Sequence, residues 1–266
     1  MESKRILFIS QEITPYLPET PMAEISRYLP QGVQERGREI RTFMPLYGNI
    51  NERRNQLHEV IRLSGMNLVI NDTDHPLIIK VASIQSARMQ VYFIDNEDYF
   101  HRKGIVSDDE GHFFPDNDER AIFFARGVLE TVIKLRWTPD IIHCHGWMTA
   151  LAPIYLKKYY KDDPLFSHAK VIYSVYDDDF EGELNKNFRK KLVLKGITAS
   201  DTKALEKPDY EKLTKFAIQY ADAVVQGSEK INPEISNYIA ASEKLFLPYQ
   251  LKDDYVDAYN DFYDKV

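Results

Sequence analysis

A single cysteine, Cys144, stands among the 266 residues, so no disulfide can form within the chain and the fold must rest on packing alone, as is usual in a reducing compartment. Basic charge is also short. Thirty-four Lys+Arg against 41 Asp+Glu leave a net charge of −7, and no basic stripe interleaved with aromatics occurs. That excludes nucleic acid as a partner, because a phosphate backbone is held by clustered cations. No uninterrupted apolar run reaches the length of a bilayer span, which excludes a membrane helix. The opening "MESKRILFIS" begins with basic residues, yet its apolar run is short and lacks a small-residue cleavage site, so it reads as structure and not as a leader. The expected location is cytoplasmic.

What is present is a repeating alternation. "RILFIS", "EIRTFMP", "PDIIHCH", "AKVIYSVY" and "ADAVVQGS" are apolar runs of strand length, and "AEISRYLPQGVQER", the stretch through "RAIFFARGVLETVIKL", "MTALAPIYLKKYY", "YEKLTKFAIQY" and "PEISNYIA" carry helical spacing between them. Such alternation predicts an α/β fold: a doubly wound, mostly parallel sheet with helices on both faces. Between residues 58 and 95, "HEVIRLSG", "NLVIND", "PLIIKVASI" and "MQVYFID" follow one another with little helix, predicting an antiparallel excursion. Residues 103–118, acidic with glycine and proline, are expected to be a surface loop. The tail places Tyr255, Tyr259, Phe262 and Tyr263 on one face of a helix over about 251–264, which either docks on its own domain or receives a partner. Length allows one large domain, and no linker divides residues 1–266.

The first strand-to-helix loop is where an open α/β fold often cradles a phosphate with glycine N–H groups. Here it reads "PETPM", Pro18 to Met22: no glycine, two prolines without N–H, and the acidic Glu19.

The segments "KRILFISQEITPY", "LPQGVQERGREIRTFMPLYG", "VYFIDNEDYFHR", "PDIIHCHGWMTALAPIYL" and "YADAVVQGS", in that order, resemble the N-terminal catalytic domain of bacterial glycogen synthases and plant starch synthases. The resemblance implies one Rossmann-like half of a GT-B glycosyltransferase. In that family, a retaining hexosyltransferase moves glucose from ADP-glucose to an α-1,4-glucan, and a second, C-terminal lobe holds most of the donor. It implies α-glucan or glycogen as partner, with ADP-glucose, a separately encoded partner domain or a second copy as further candidates, and no cofactor. The C-terminal donor-binding domain is expected to be absent, and the lone acceptor-side half to transfer glucose weakly or not at all. A non-catalytic glucan-binding or regulatory module and one half of a split synthase are the alternative readings.

Departures from the family pattern support that expectation. Its Lys-Thr-Gly-Gly-Leu loop matches Pro18 to Met22, its His-Asp-Trp-His segment has become His145, Gly146, Trp147 and Met148, and its Thr-Ile-His-Asn segment has become Ser174, Val175, Tyr176 and Asp177. No catalytic residue can be assigned. The candidate substrate-binding residues are Glu12, Tyr16, Glu24, Phe100, His145, Trp147 and Tyr176. Each has an ordinary alternative: Glu12 bonding its own loop, Tyr16 and Trp147 serving as packing anchors, Glu24 simply favouring a helix N-terminus. His143 and His145 share one face of a strand, but no third ligand follows at metal spacing, so no metal is expected. Tyr176 to Gly182, "YDDDFEG", is read as an acidic loop.

Overall fold

A computed structural model describes residues 3–266. Ten strands form one mixed assembly: β1 (Arg5–Ser10), β2 (Glu39–Pro45), β3 (His58–Glu59), β4 (Met66–Ile70), β5 (Thr73–Ile84), β6 (Met89–Asp95), β7 (Ile141–His145), β8 (Lys170–Val175), β9 (Ala223–Gln226) and β10 (Leu245–Leu247). Seven run parallel in the order β10-β9-β8-β7-β1-β2-β6. The central ones, β1, β7 and β8, are buried on both faces, which is why their sequences are continuously apolar instead of alternating. Beyond β6, β5 is antiparallel and carries β3 and β4 on it. The doubly wound sheet and its antiparallel excursion are thus both present.

The main helices are α1 (Pro21–Glu35), α2 (Asn117–Leu135), α3 (Tyr210–Tyr220), α4 (Pro233–Ala241) and α5 (Tyr255–Lys265). One face of the sheet buries the Phe123, Val128 and Leu129 side of α2 together with Leu213 and Phe216 of α3. On the other, Ile6, Phe8, Ile141 and Ile172 meet Leu29 and Val33 of α1 and Tyr259, Phe262 and Tyr263 of α5. The tail stripe therefore docks on its own domain. Gly32 makes this possible, since a Cβ there would stand 2.5 Å from Val256 Cγ1. Each large side chain so buried contributes roughly 1.5–3 kcal/mol, whereas the exposed pairs Arg36–Asp257 and Arg38–Asp264 along the same contact add little.

Several elements differ from the sequence expectation. Of "HEVIRLSG" only His58–Glu59 is strand, because the Leu63 and Ser64 N–H groups turn back to the Val60 carbonyl. "MTALAPIYLKKYY" forms a 3-10 turn, one α turn and a five-residue π-turn, with Pro153 unable to donate. The 103–118 loop is not merely solvated: Phe113 stacks on Phe180 with centroids 5.1 Å apart, and Arg102 grips Asp116. Asp116 precedes α2 but gives it no side-chain cap, its carboxylate being taken by that arginine. No helix among the described residues is long and apolar enough to cross a membrane.

Candidate functional site: a carboxylate-lined cleft at the strand ends

At the C-terminal ends of β1, β7 and β8, where parallel sheets present ligand sites, a cleft of about 310 Å³ opens. Gln11 and Glu12 follow β1, Trp147 follows β7, and Tyr176 to Phe180 follow β8. Thr20, Pro21 and Met22 enter from the start of α1, and Val106 and Ser228 complete the wall. No lysine or arginine is among these residues.

The start of α1 explains what the prolines do. Thr20 caps the helix by accepting the Ala23 N–H at 3.0 Å, and its carbonyl takes the Glu24 N–H. Pro21 at the first helical position has no N–H. Of the first donors of α1, Ala23 and Glu24 are thus spent on Thr20 and Pro21 has none. Thr20 Oγ1 then donates to Glu12 Oε2 at 2.8 Å, so the hydroxyl fixes the carboxylate while the cap fixes the hydroxyl. Gln11 is held from both sides: its N–H donates to the His145 carbonyl at 3.1 Å, and its Oε1 accepts the Met148 N–H at 3.0 Å.

Asp178 is the most perturbed carboxyl of the cleft. Oδ2 accepts the Trp147 N–H at 3.0 Å and Oδ1 accepts the Tyr210 hydroxyl at 2.8 Å, bonds that favour the ionised form. Desolvation outweighs them, and with Glu12 and Asp179 adding repulsion the group is pushed up to about 7. The residue keeps a partly exposed edge, through which water tempers the effect. Its neighbours are tied separately, Asp177 N–H to Ser228 Oγ and Asp179 to Asn232 Nδ2.

Beneath the cleft runs a buried polar row. His145 Nδ1 and Tyr176 Oη are 2.7 Å apart, while His143 shares its Nδ1 with Tyr263 Oη and its Nε2 with Ser174 Oγ, both at 2.7 Å. Burial drives His145 down to about 3 and His143 well below its ordinary value, so both rings are neutral. Both His143 nitrogens are engaged, whereas His145 Nε2 is buried without a hydrogen-bond partner, and no group of three His, Cys, Asp or Glu is placed for a metal among the described residues.

Of the candidates from sequence, Glu12, Trp147 and Tyr176 line the cleft together. His145 lies behind it, reaching the cleft only through Tyr176. Glu24 faces a neighbouring groove and pairs with Lys252 at 3.5 Å. Tyr16 is buried edge-on against Phe93, centroids 4.9 Å apart, and Phe100 is fully buried beside Tyr47 and Phe123. Neither offers a free ring face, because the 97–100 turn, capped by Asn96, swings Phe100 inward. Trp147 is itself 1% exposed, wrapped by Phe113 and Phe180. Gln11, Asp178, Phe180 and Tyr210 were not singled out by sequence reasoning. The Asp177–Asp179 run was a visible signal for Asp178, whereas Tyr210 comes from 32 residues away and had none.

This fold has known counterparts. The description "starch synthase catalytic domain" fits residues 5–245, and the chain belongs to that family. It is 36% identical over 197 residues to a glycogen synthase of Chlorobium luteolum, covering 74% of this chain and 40% of that protein. It is 35% identical over 230 residues to one of Chlorobium limicola, covering 83% and 47%. The chain thus spans about half the length of these curated relatives or less. Among solved structures, the catalytic domain of starch synthase IV from Arabidopsis thaliana, bound to ADP and acarbose, superposes with a TM-score of 0.73 over 96% of this chain and 53% of that one. At 16% identity this likeness concerns the fold.

Proposed function

We propose that residues 1–266 form the glucan side of a glycogen/starch-synthase-type glycosyltransferase, binding α-1,4-glucan in the carboxylate-lined cleft without holding ADP-glucose productively by themselves. The observation that carries this reading is the cleft's chemistry. Glu12, Asp177, Asp178 and Asp179 offer acceptors for sugar hydroxyls, Phe180 offers an apolar face, and no cation lines the wall. A pyrophosphate there would meet repulsion of about 3 kcal/mol from each carboxylate roughly 6 Å away at an effective dielectric of 20. Two of the N–H groups that open α1 are spent on Thr20 and Pro21 lacks one, so little at that helix start offsets it. Family membership supports a glycosyltransferase role, and the ADP and acarbose of the Arabidopsis structure support glucan and adenine nucleotide as the ligand classes to test.

Calorimetry with maltooligosaccharides and with ADP-glucose tests this directly. Saturable binding of the oligosaccharide and none of the sugar nucleotide is expected, together with little incorporation of labelled glucose into a glycogen primer. Tight ADP-glucose binding or robust incorporation would refute the proposal.

A further inference from the structure

Next to the cleft lies a second, smaller groove of about 170 Å³, built where the tail folds back over the start of α1. Three tyrosines line it: Tyr28 from α1, Tyr249 before the tail, and Tyr255 opening α5. Gln250 and the Glu24–Lys252 pair supply the polar rim. Tyr28 is 49% exposed, and Arg27 stacks on its ring at 5.0 Å, which steadies the side chain while leaving much of it open. Tyr255 is steadied edge-on by the buried Tyr259. The groove is therefore a set of supported aromatic rings beside an amide, a carboxylate and an ammonium. That combination suits a polyol whose C–H faces stack while its hydroxyls bond at the edge.

The groove adjoins the cleft. Pro21 lines both, and Gly227, on the groove side, touches the Tyr176 ring of the cleft so closely that a Cβ would stand 2.5 Å from it. Moreover, Tyr249, Gln250, Lys252 and Tyr255 lie beyond residues 5–245, the stretch that fits the family. The groove is thus shared between α1, inside that stretch, and the tail beyond it.

Resting on the glucan reading above, we infer that this tyrosine groove is a second sugar subsite, which takes the extension of an α-1,4-glucan chain lying in the cleft. Binding should then depend on oligosaccharide length. The test is calorimetry with maltose and maltoheptaose on the wild type, Tyr28→Ala, Gln250→Ala and the cleft variant Phe180→Ala. Tyr28 is exposed, so its truncation should leave the fold intact, and circular dichroism checks this. The expected result is that Tyr28→Ala and Gln250→Ala weaken maltoheptaose roughly fivefold to tenfold and leave maltose unchanged, while Phe180→Ala weakens both. Equal maltoheptaose affinity in wild type, Tyr28→Ala and Gln250→Ala would overturn the groove and leave the cleft standing. Absence of binding by the wild type to either sugar would overturn both.

Discussion

Met22 lies over Gly146 so closely that a Cβ on that glycine would stand 2.8 Å from both the Sδ and the Cε of Met22. The two positions come from different strand ends, yet each is shaped to the other. Gly146 also sits at φ 86, ψ 162, a conformation essentially restricted to glycine. Gly146→Ala is expected to destabilise by about 1–3 kcal/mol through backbone strain alone. Adding Met22→Ala should relieve the contact but not the strain, so unfolding by urea should show only partial recovery. Full recovery in the double variant would mean that the backbone carries no constraint.

The histidine row makes the fold sensitive to acid. His145 is driven down to about 3 and His143 well below its ordinary value of about 6.5, so the folded protein holds both neutral where the unfolded chain would protonate them. Their contribution is fully present above about pH 6.5 and is lost as pH falls below it, by up to about 1.4 kcal/mol per pH unit for each ring. Denaturant titrations between pH 8 and 4.5 should show this slope. In His145→Asn it should be shallower by about one ring's share, whatever that variant's absolute stability.

Asp178 acts with the opposite sign. Its folded pKa of about 7 lies above the unfolded carboxyl value, so between about pH 4 and 7 the native state holds the extra proton. Stability from this group therefore declines as pH rises through that window, by on the order of 1–3 kcal/mol in total once its partly wetted edge is allowed for. Asp178→Asn abolishes the titration, and with its amide oxygen on the Trp147 N–H and its NH2 toward the Tyr210 hydroxyl, which also donates to the Tyr176 carbonyl, it mimics the protonated acid. The stability of wild type relative to Asp178→Asn is thus expected to be highest near pH 4 and to fall as pH rises to 8, so the gap between them changes by that amount. A gap independent of pH would show that Asp178 titrates normally.

How much of this was legible in the residues depends on how far apart the causes lie. The parallel core was readable because β1, β7 and β8 are short apolar runs whose both-face burial leaves no alternation to misread. The glycine-free, proline-bracketed entrance to α1 was readable because Pro18 to Met22 act within a single turn. The reach of the tail was half readable: the stripe of Tyr259, Phe262 and Tyr263 announced a buried face, but nothing local pointed Tyr263 at His143, 120 residues earlier. Phe100 misled because an aromatic next to polar residues looks like a platform until the Asn96 cap fixes its turn. Asp178 gains its character from Tyr210 and the Trp147 N–H, neither of them its sequence neighbour.

Trp147 and Phe180 pack with centroids 4.8 Å apart and planes tilted by 59°. Trp147 is 1% exposed and Phe180 half-buried, so under the proposed glucan reading the phenylalanine is the ring a sugar would meet and the tryptophan is what supports it. Trp147→Ala should therefore act first on stability, costing about 3–5 kcal/mol through the cavity it leaves, with any loss of glucan binding following from that damage. Phe180→Ala should do the reverse, with a smaller loss of stability and a clear loss of affinity. Thermal unfolding and oligosaccharide titration on both variants separate the roles. If Trp147→Ala kept its melting temperature yet lost binding, the tryptophan would be the contact surface, and the cleft would have to open by moving Phe113 and Phe180 aside.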